Sequence, residues 1–186
     1  MTGMISDSLL PENERLRAAG VERPFHVVLV EPEIPPNTGN IARLCGATAC
    51  PLHLVGKLGF RIDEHAVRRA GLDYWHLVEV HQHASLAACE DFIQSHRGPD
   101  RPGRRSWLFT GRAKRSIYEV EFLPGDALVF GKESVGLGQQ ILDARPDNTV
   151  AIPTIGAVRS LNLANAVSIA LYEALRRSGL LATTQS

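Results

Sequence analysis

Cysteine is scarce in this chain. Its 186 residues hold three, Cys45, Cys50 and Cys89. That odd number, with no CxxC pair, excludes a disulfide framework and the paired-thiolate metal motifs. No apolar run approaches the roughly 20 residues that a bilayer-spanning helix needs. Residues 1–23 contain Asp7, Glu12, Glu14 and Glu22 and no apolar stretch, so a secretory signal is not expected and the chain reads as cytoplasmic and reduced. An excess of one charge is also missing, because 20 Lys+Arg balance 20 Asp+Glu. A nucleic-acid partner must therefore be argued from local patches rather than from global attraction. Internal repeats and low-complexity segments are absent.

The composition that remains, 44% hydrophobic and 22% charged, is that of an ordinary globular domain, and the length suits one. Residues 1–23 read as a polar extension with a short helical pattern at 12–19, residues 24–179 as a single domain, and 180–186 as a tail. Apolar runs at 25–30, 52–55, 76–80, 107–110, 127–130 and 150–152 read as short buried strands. Helical patterns occupy the segment opening at Asn37, then 62–70, 84–95 and 161–177. The last places Leu163, Val167, Leu171 and Leu175 on one face, with Arg176 and Arg177 suiting its C-terminal dipole and Gly179 ending it. Strands alternating with helices predict an α/β protein with a largely parallel sheet, whose ligands bind beyond the carboxyl ends of the strands.

Three segments put glycine, asparagine and charge at such ends. In residues 35–43 two prolines precede a helix start that Asn37 or Thr38 can cap, and Asn40 and Arg43, three apart, share a face. Amide donors beside an arginine suit a phosphate or a polarised oxygen; an N-cap with a solvated arginine is the plainer alternative. In residues 130–138, Gly131 lets backbone approach a ligand. Glu133 either accepts amide hydrogen bonds or is the exposed residue of a tight turn. A P-loop is excluded, since Gly125 is one residue too far upstream and Glu133 replaces the required Ser/Thr. In residues 151–165 a strand ends at Pro153, and Ser160 begins a long helix. Asn162 and Asn165 lie early in that helix, and capping accounts for only one of them.

Taken together, N-T-G-N-I-A-R (37–43), F-G-K-E-S-V-G-L (130–137) and I-P with R-S-L-N-L-A-N-A (152–166) resemble, in order and spacing, the SpoU branch of the SPOUT RNA methyltransferases. Flanking stretches at 29–40, 68–74 and 166–174 are similar to a small branch acting on the anticodon wobble nucleotide of tRNA. The resemblance covers residues 25–179. It implies a parallel-sheet α/β knot with a deep C-terminal trefoil, and 2′-O-methylation of a ribose in the tRNA anticodon stem-loop with S-adenosylmethionine as methyl donor. It also implies a homodimer that pairs through the final helix. Cofactor contacts fall on Phe109, Thr110, Gly131, Glu133, Ile152, Ser160 and Leu161. The motif arginine is Arg43, with Asn40, Ser160 and Asn162 shaping the catalytic site. A guanidinium is a poor base, so Arg43 is read as orienting phosphate and stabilising developing oxyanion character.

RNA contacts fall on Arg43, Arg112, Lys114, Arg115 and Tyr172. Arg112, Lys114 and Arg115 close a stretch from Arg97 to Arg115 with seven basic residues against Asp100, in which Arg97–Arg105 reads as readily as a solvated loop and Arg112–Arg115 is the phosphate-contacting part. Lys132 and Ala164 depart from the branch, which commonly has proline and serine there. No metal is expected: neither Cys45, Cys50 and His53 nor His81 and His83 has a fourth ligand at a recognised spacing. Cys45 and the tryptophans read as core. A sister activity on another ribose, or RNA binding without catalysis, remains open at this point.

Overall fold

The computed structural model describes residues 17–18, 21, 23–60, 77–96, 105–158 and 160–182. Among the described residues, six strands form a single sheet: β1 (His26–Val30), β2 (Leu52–Val55), β3 (Val80–His83), β4 (Ser106–Phe109), β5 (Ala127–Phe130) and β6 (Thr149–Val150). Their order is β3-β2-β1-β5-β4-β6, and every neighbouring pair is parallel. All carboxyl ends therefore meet one edge, and the segments 31–34, 110–116, 131–138 and 151–158 leave from it.

Alternation along each strand divides the core into two layers, as a sheet covered on both faces requires. Val27, Leu29, Leu52, Leu54, Leu128 and Phe130 pack with Ile41 and Cys45 of α1 (Pro35–Thr48) and with Val167 and Leu171 of α4 (Leu163–Arg177). Val28, Val55, Leu108 and Val129 face the other way, against Cys89 and Ile93 of α2 (Leu86–Ser95) and Leu142 of α3 (Gln139–Asp143). β6 is an edge strand beside β4, yet α4 returns to pack on α1. The chain between them must cross back along the carboxyl edge. Trp107 is buried, and its indole Nε1 donates to Asp126 Oδ2 at 3.0 Å.

Several local expectations change. α1 starts at Pro35 with Ile34 as a cap that makes no side-chain bond, so neither Asn37 nor Thr38 caps it; both are buried in the first turn. β3 is Val80–His83 rather than 76–80, because its sheet-facing positions are filled by histidines that an apolar-run search passes over. α2 begins two residues later than expected, where Ser85 Oγ accepts from Ala88 N at 3.2 Å. α4 begins at Leu163 rather than 161, and α3 was not anticipated. The helix read at 62–70, Trp75, residues 97–104 and most of the N-terminal extension lie outside the described residues.

Candidate active site at the carboxyl edge of the sheet

The three motif segments are joined by one chain of side-chain hydrogen bonds. Glu133, just after β5, accepts from Glu33 N at 2.8 Å through Oε2. Its Oε1 accepts from Ile34 N at 3.2 Å and Asn37 Nδ2 at 3.0 Å. Asn37 Oδ1 then accepts from Asn162 Nδ2 at 3.0 Å. Asn162 is the N-cap of α4, its Oδ1 accepting from Ala164 N at 2.9 Å and Asn165 N at 3.4 Å. One carboxylate thus satisfies amide donors at the entrance to α1, and one asparagine passes the contact to the start of α4. Burial alone would raise the Glu133 carboxyl pKa. The hydrogen bonds from Asn37 and the backbone amides outweigh it and hold the pKa below the ordinary value.

The clasp is reciprocal. Ser134 N donates to Glu33 Oε2 at 3.1 Å, and Lys132 Nζ lies 2.7 Å from Glu31 Oε2. Lys132 and Gly136 exchange backbone bonds of 3.2 and 2.9 Å across the turn between them. This brings backbone against Gly131, where a Cβ would stand 2.1 Å from the Gly136 carbonyl carbon and 2.2 Å from Leu137 N. Only glycine fits there.

Among the expected cofactor contacts, Phe109 ends β4 buried and stacks on Phe130 with centroids 4.4 Å apart. Thr110 Oγ1 accepts from Arg112 N at 3.3 Å, Gly131 is buried, Ile152 is half-buried, and Ser160 and Leu161 are exposed. The backbone at Gly111, Gly136 and Gly156 faces open space. Asn40 and Arg43 lie together on the exposed side of α1. Arg112, Lys114 and Arg115 line an open groove with Glu119, Asp147 and Thr149. Arg112 Nη1 donates to Gln139 Oε1 at 3.0 Å and Arg115 Nη1 to Asp147 O at 2.8 Å, which holds two of the three basic residues in place. Tyr172 is exposed on α4.

Sequence reasoning missed Glu31, Glu33 and the role of Asn37. Their partners lie about a hundred residues away along the chain, and the only sequence signal is acidic residues beside prolines after a strand.

The chain as a whole is similar to known proteins. Residues 24–172 match the model of the SpoU rRNA methylase family. The tRNA (cytidine(34)-2′-O)-methyltransferase of Acidovorax sp. (strain JS42) is 45% identical over 158 residues, spanning 84% of this chain and 94% of that one. A solved structure concerned with 2-OH methylation of C/U34 on tRNA is 45% identical, covers 82% of this chain and 95% of its own, and superposes with a TM-score of 0.70. The SpoU methyltransferase AviRb from Streptomyces viridochromogenes, solved in complex with AdoMet, is 27% identical over 84% of this chain and 62% of its own, with a TM-score of 0.69. With its parallel sheet, its three clasped motif loops and these matches, the chain belongs to the SpoU methylase family.

Proposed function

We propose that this protein transfers the methyl group of S-adenosylmethionine to the ribose 2′-hydroxyl of the tRNA wobble nucleotide. The observation that carries the reading is the Glu133–Asn37–Asn162 relay, which draws the family's three motif segments together at the carboxyl edge of the sheet. The relatives that match nearly their whole length act on cytidine 34 of tRNA.

The residues present suit the cofactor. Open backbone at Gly111, Gly136 and Gly156 admits a ligand, and Ile152 and Leu161 offer apolar surface for a purine ring, beside the backbone of Thr110, Gly131 and Ser160 at the same edge. Glu133 is occupied by three donors, so its part is to hold the loop that touches the ligand. S-adenosylmethionine supplies an electrophilic methyl group on a sulfonium. The chain's own contribution is positioning, which supplies up to about 7–11 kcal/mol in well-oriented reactions. Arg43 forks onto a substrate phosphate and stabilises the developing 2′-oxyanion as the hydroxyl proton leaves to that phosphate or to water, with Asn40 one turn earlier on the same face. Ser160 and Asn162 shape the wall opposite. Arg112, Lys114 and Arg115 hold RNA phosphates along their groove.

Two copies form the working unit. Ile169 and Tyr172 of α4 are 38% and 47% exposed, and Ile155, Val158 and Leu161 in the segment leading into α4 are exposed as well. A second α4 covers that apolar surface and brings Tyr172 to the RNA. The return from β6 to α4 is the thread of the family's trefoil knot, and residues 24–179 act as one domain. Incubation with methyl-labelled S-adenosylmethionine and tRNA lacking the modification, followed by nuclease mapping, tests the reading. Label at the wobble ribose is expected. Label at another ribose would reassign the substrate, and cofactor binding without transfer to any RNA would make the chain a binding protein.

A further inference from the structure

The sheet face beneath α2 carries imidazoles that methyl transfer does not use. His26 Nδ1 lies 3.0 Å from His53 Nε2, and His53 Nδ1 lies 2.9 Å from His83 Nε2. Strand alternation and register put these residues on one face, across β1, β2 and β3, and Cys89 and Phe92 of α2 close over it. His53 and Cys89 are fully buried, while His83 is half-buried at the margin. One donor atom from each of His53, His83 and Cys89 lies within 4.8 Å of the other two. Sequence spacing had grouped His53 with Cys45 and Cys50, and His83 with His81; the fold regroups them.

We propose that His53, His83 and Cys89 form a binding site for a divalent transition metal of the zinc class, with a fourth position open to water on the His83 side. Two imidazoles and a thiolate are a donor set that such ions prefer. Metal–nitrogen bonds of ~2.0–2.1 Å in a tetrahedral centre set the two nitrogens about 3.3 Å apart. The 2.9 Å contact between His53 Nδ1 and His83 Nε2 opens by a few tenths of an ångström, and Cys89 Sγ, within 4.8 Å of both nitrogens, closes to the roughly 3.6 Å that a metal–sulfur bond of ~2.3 Å sets. The ion takes the place of the hydrogen now shared there. His53 then carries its proton on Nε2 and donates to His26 Nδ1, an outer hydrogen bond that fixes the ligating tautomer.

Proton balance is simple. Ligation needs neutral imidazoles and a thiolate, so the Cys89 thiol gives up one proton when the ion binds. The metal would staple the edge strand β3 and α2 to β2, on the flank of the sheet away from β4 and β6.

The test uses the full-length protein, stripped with chelator under reducing conditions and titrated with Co(II). The expected result is a single bound Co(II) with intense visible bands of a tetrahedral centre, a near-ultraviolet thiolate charge-transfer band, displacement by Zn(II) and release of one proton. Cys89→Ser should abolish the charge-transfer band and weaken binding by at least about 100-fold. His26→Phe should weaken it by about 10–100-fold, and Cys50→Ser should leave the spectrum unchanged. Absence of a tetrahedral spectrum in the unaltered protein would overturn the proposal, and needs no variant to fold. A charge-transfer band that survives Cys89→Ser would overturn it as well.

Discussion

Replacing Glu133 by glutamine tests whether the clasp holds the motif loops. Glutamine keeps one oxygen, so the two bonds at Oε1, from Ile34 N and Asn37 Nδ2, survive without their charge. Its NH2 group then faces Glu33 N, turning the 2.8 Å bond at Oε2 into two opposed donors. A hydrogen bond to a charged group contributes about 1.5–3 kcal/mol. Glu133 is only half-buried, so water recovers part of that, and a net loss of about 2 kcal/mol is expected. For a domain of this size that lowers the melting temperature by about 4–8 °C. The pH dependence gives a second signature. The Glu133 pKa is lowered from 4.5 on folding, so its contribution is complete above that value and lost as pH falls through the folded pKa. The gap between variant and wild type should be constant at neutral pH and close in acid. Differential scanning calorimetry across pH, with S-adenosylmethionine affinity measured in parallel, reads both. A melting temperature within about 1 °C of wild type with unchanged cofactor affinity would refute the reasoning.

Gly131→Ala forces a Cβ against backbone at 2.1 and 2.2 Å. It should cost about 1–3 kcal/mol in denaturant unfolding and weaken cofactor binding by calorimetry. Arg43→Lys keeps the positive charge on the exposed side of α1. Single-turnover methyl transfer should fall at least about tenfold, since the bidentate fork is lost; near-full turnover would remove Arg43 from its assigned role. Reversing charge at Arg112, Lys114 and Arg115 should weaken tRNA binding and flatten its salt dependence by about two to three phosphate contacts, with cofactor affinity unchanged. An unaltered salt slope would exclude that groove.

Much of the sheet was legible because β5 is an uninterrupted apolar run and β1 and β2 are broken only by His26 and His53, all bounded by proline or glycine, the pattern of strands buried on both faces. β3 was misread for the opposite reason: His81 and His83 look polar in sequence, while in the fold they sit under α2. The final helix was readable from Val167, Leu171 and Leu175, but its start was not. Asn162 is the cap, and Asn165 follows it with its side chain exposed. Glu133 could be read as an acceptor of amide bonds. Its donors could not, because Glu33, Ile34 and Asn37 are brought to it only when β1 and β5 pair in parallel register. The regrouping of His53, His83 and Cys89 has the same origin.

The central claim is chemical: a methyl group reaches the wobble ribose oxygen. The most direct measurement compares transfer of labelled methyl to two anticodon stem-loops that differ only in a 2′-hydroxyl or a 2′-hydrogen at that nucleotide. The account predicts label on the ribose form and none on the deoxy form, with both bound by the protein. Equal labelling of the two, or labelling of neither while S-adenosylmethionine binds, would contradict it.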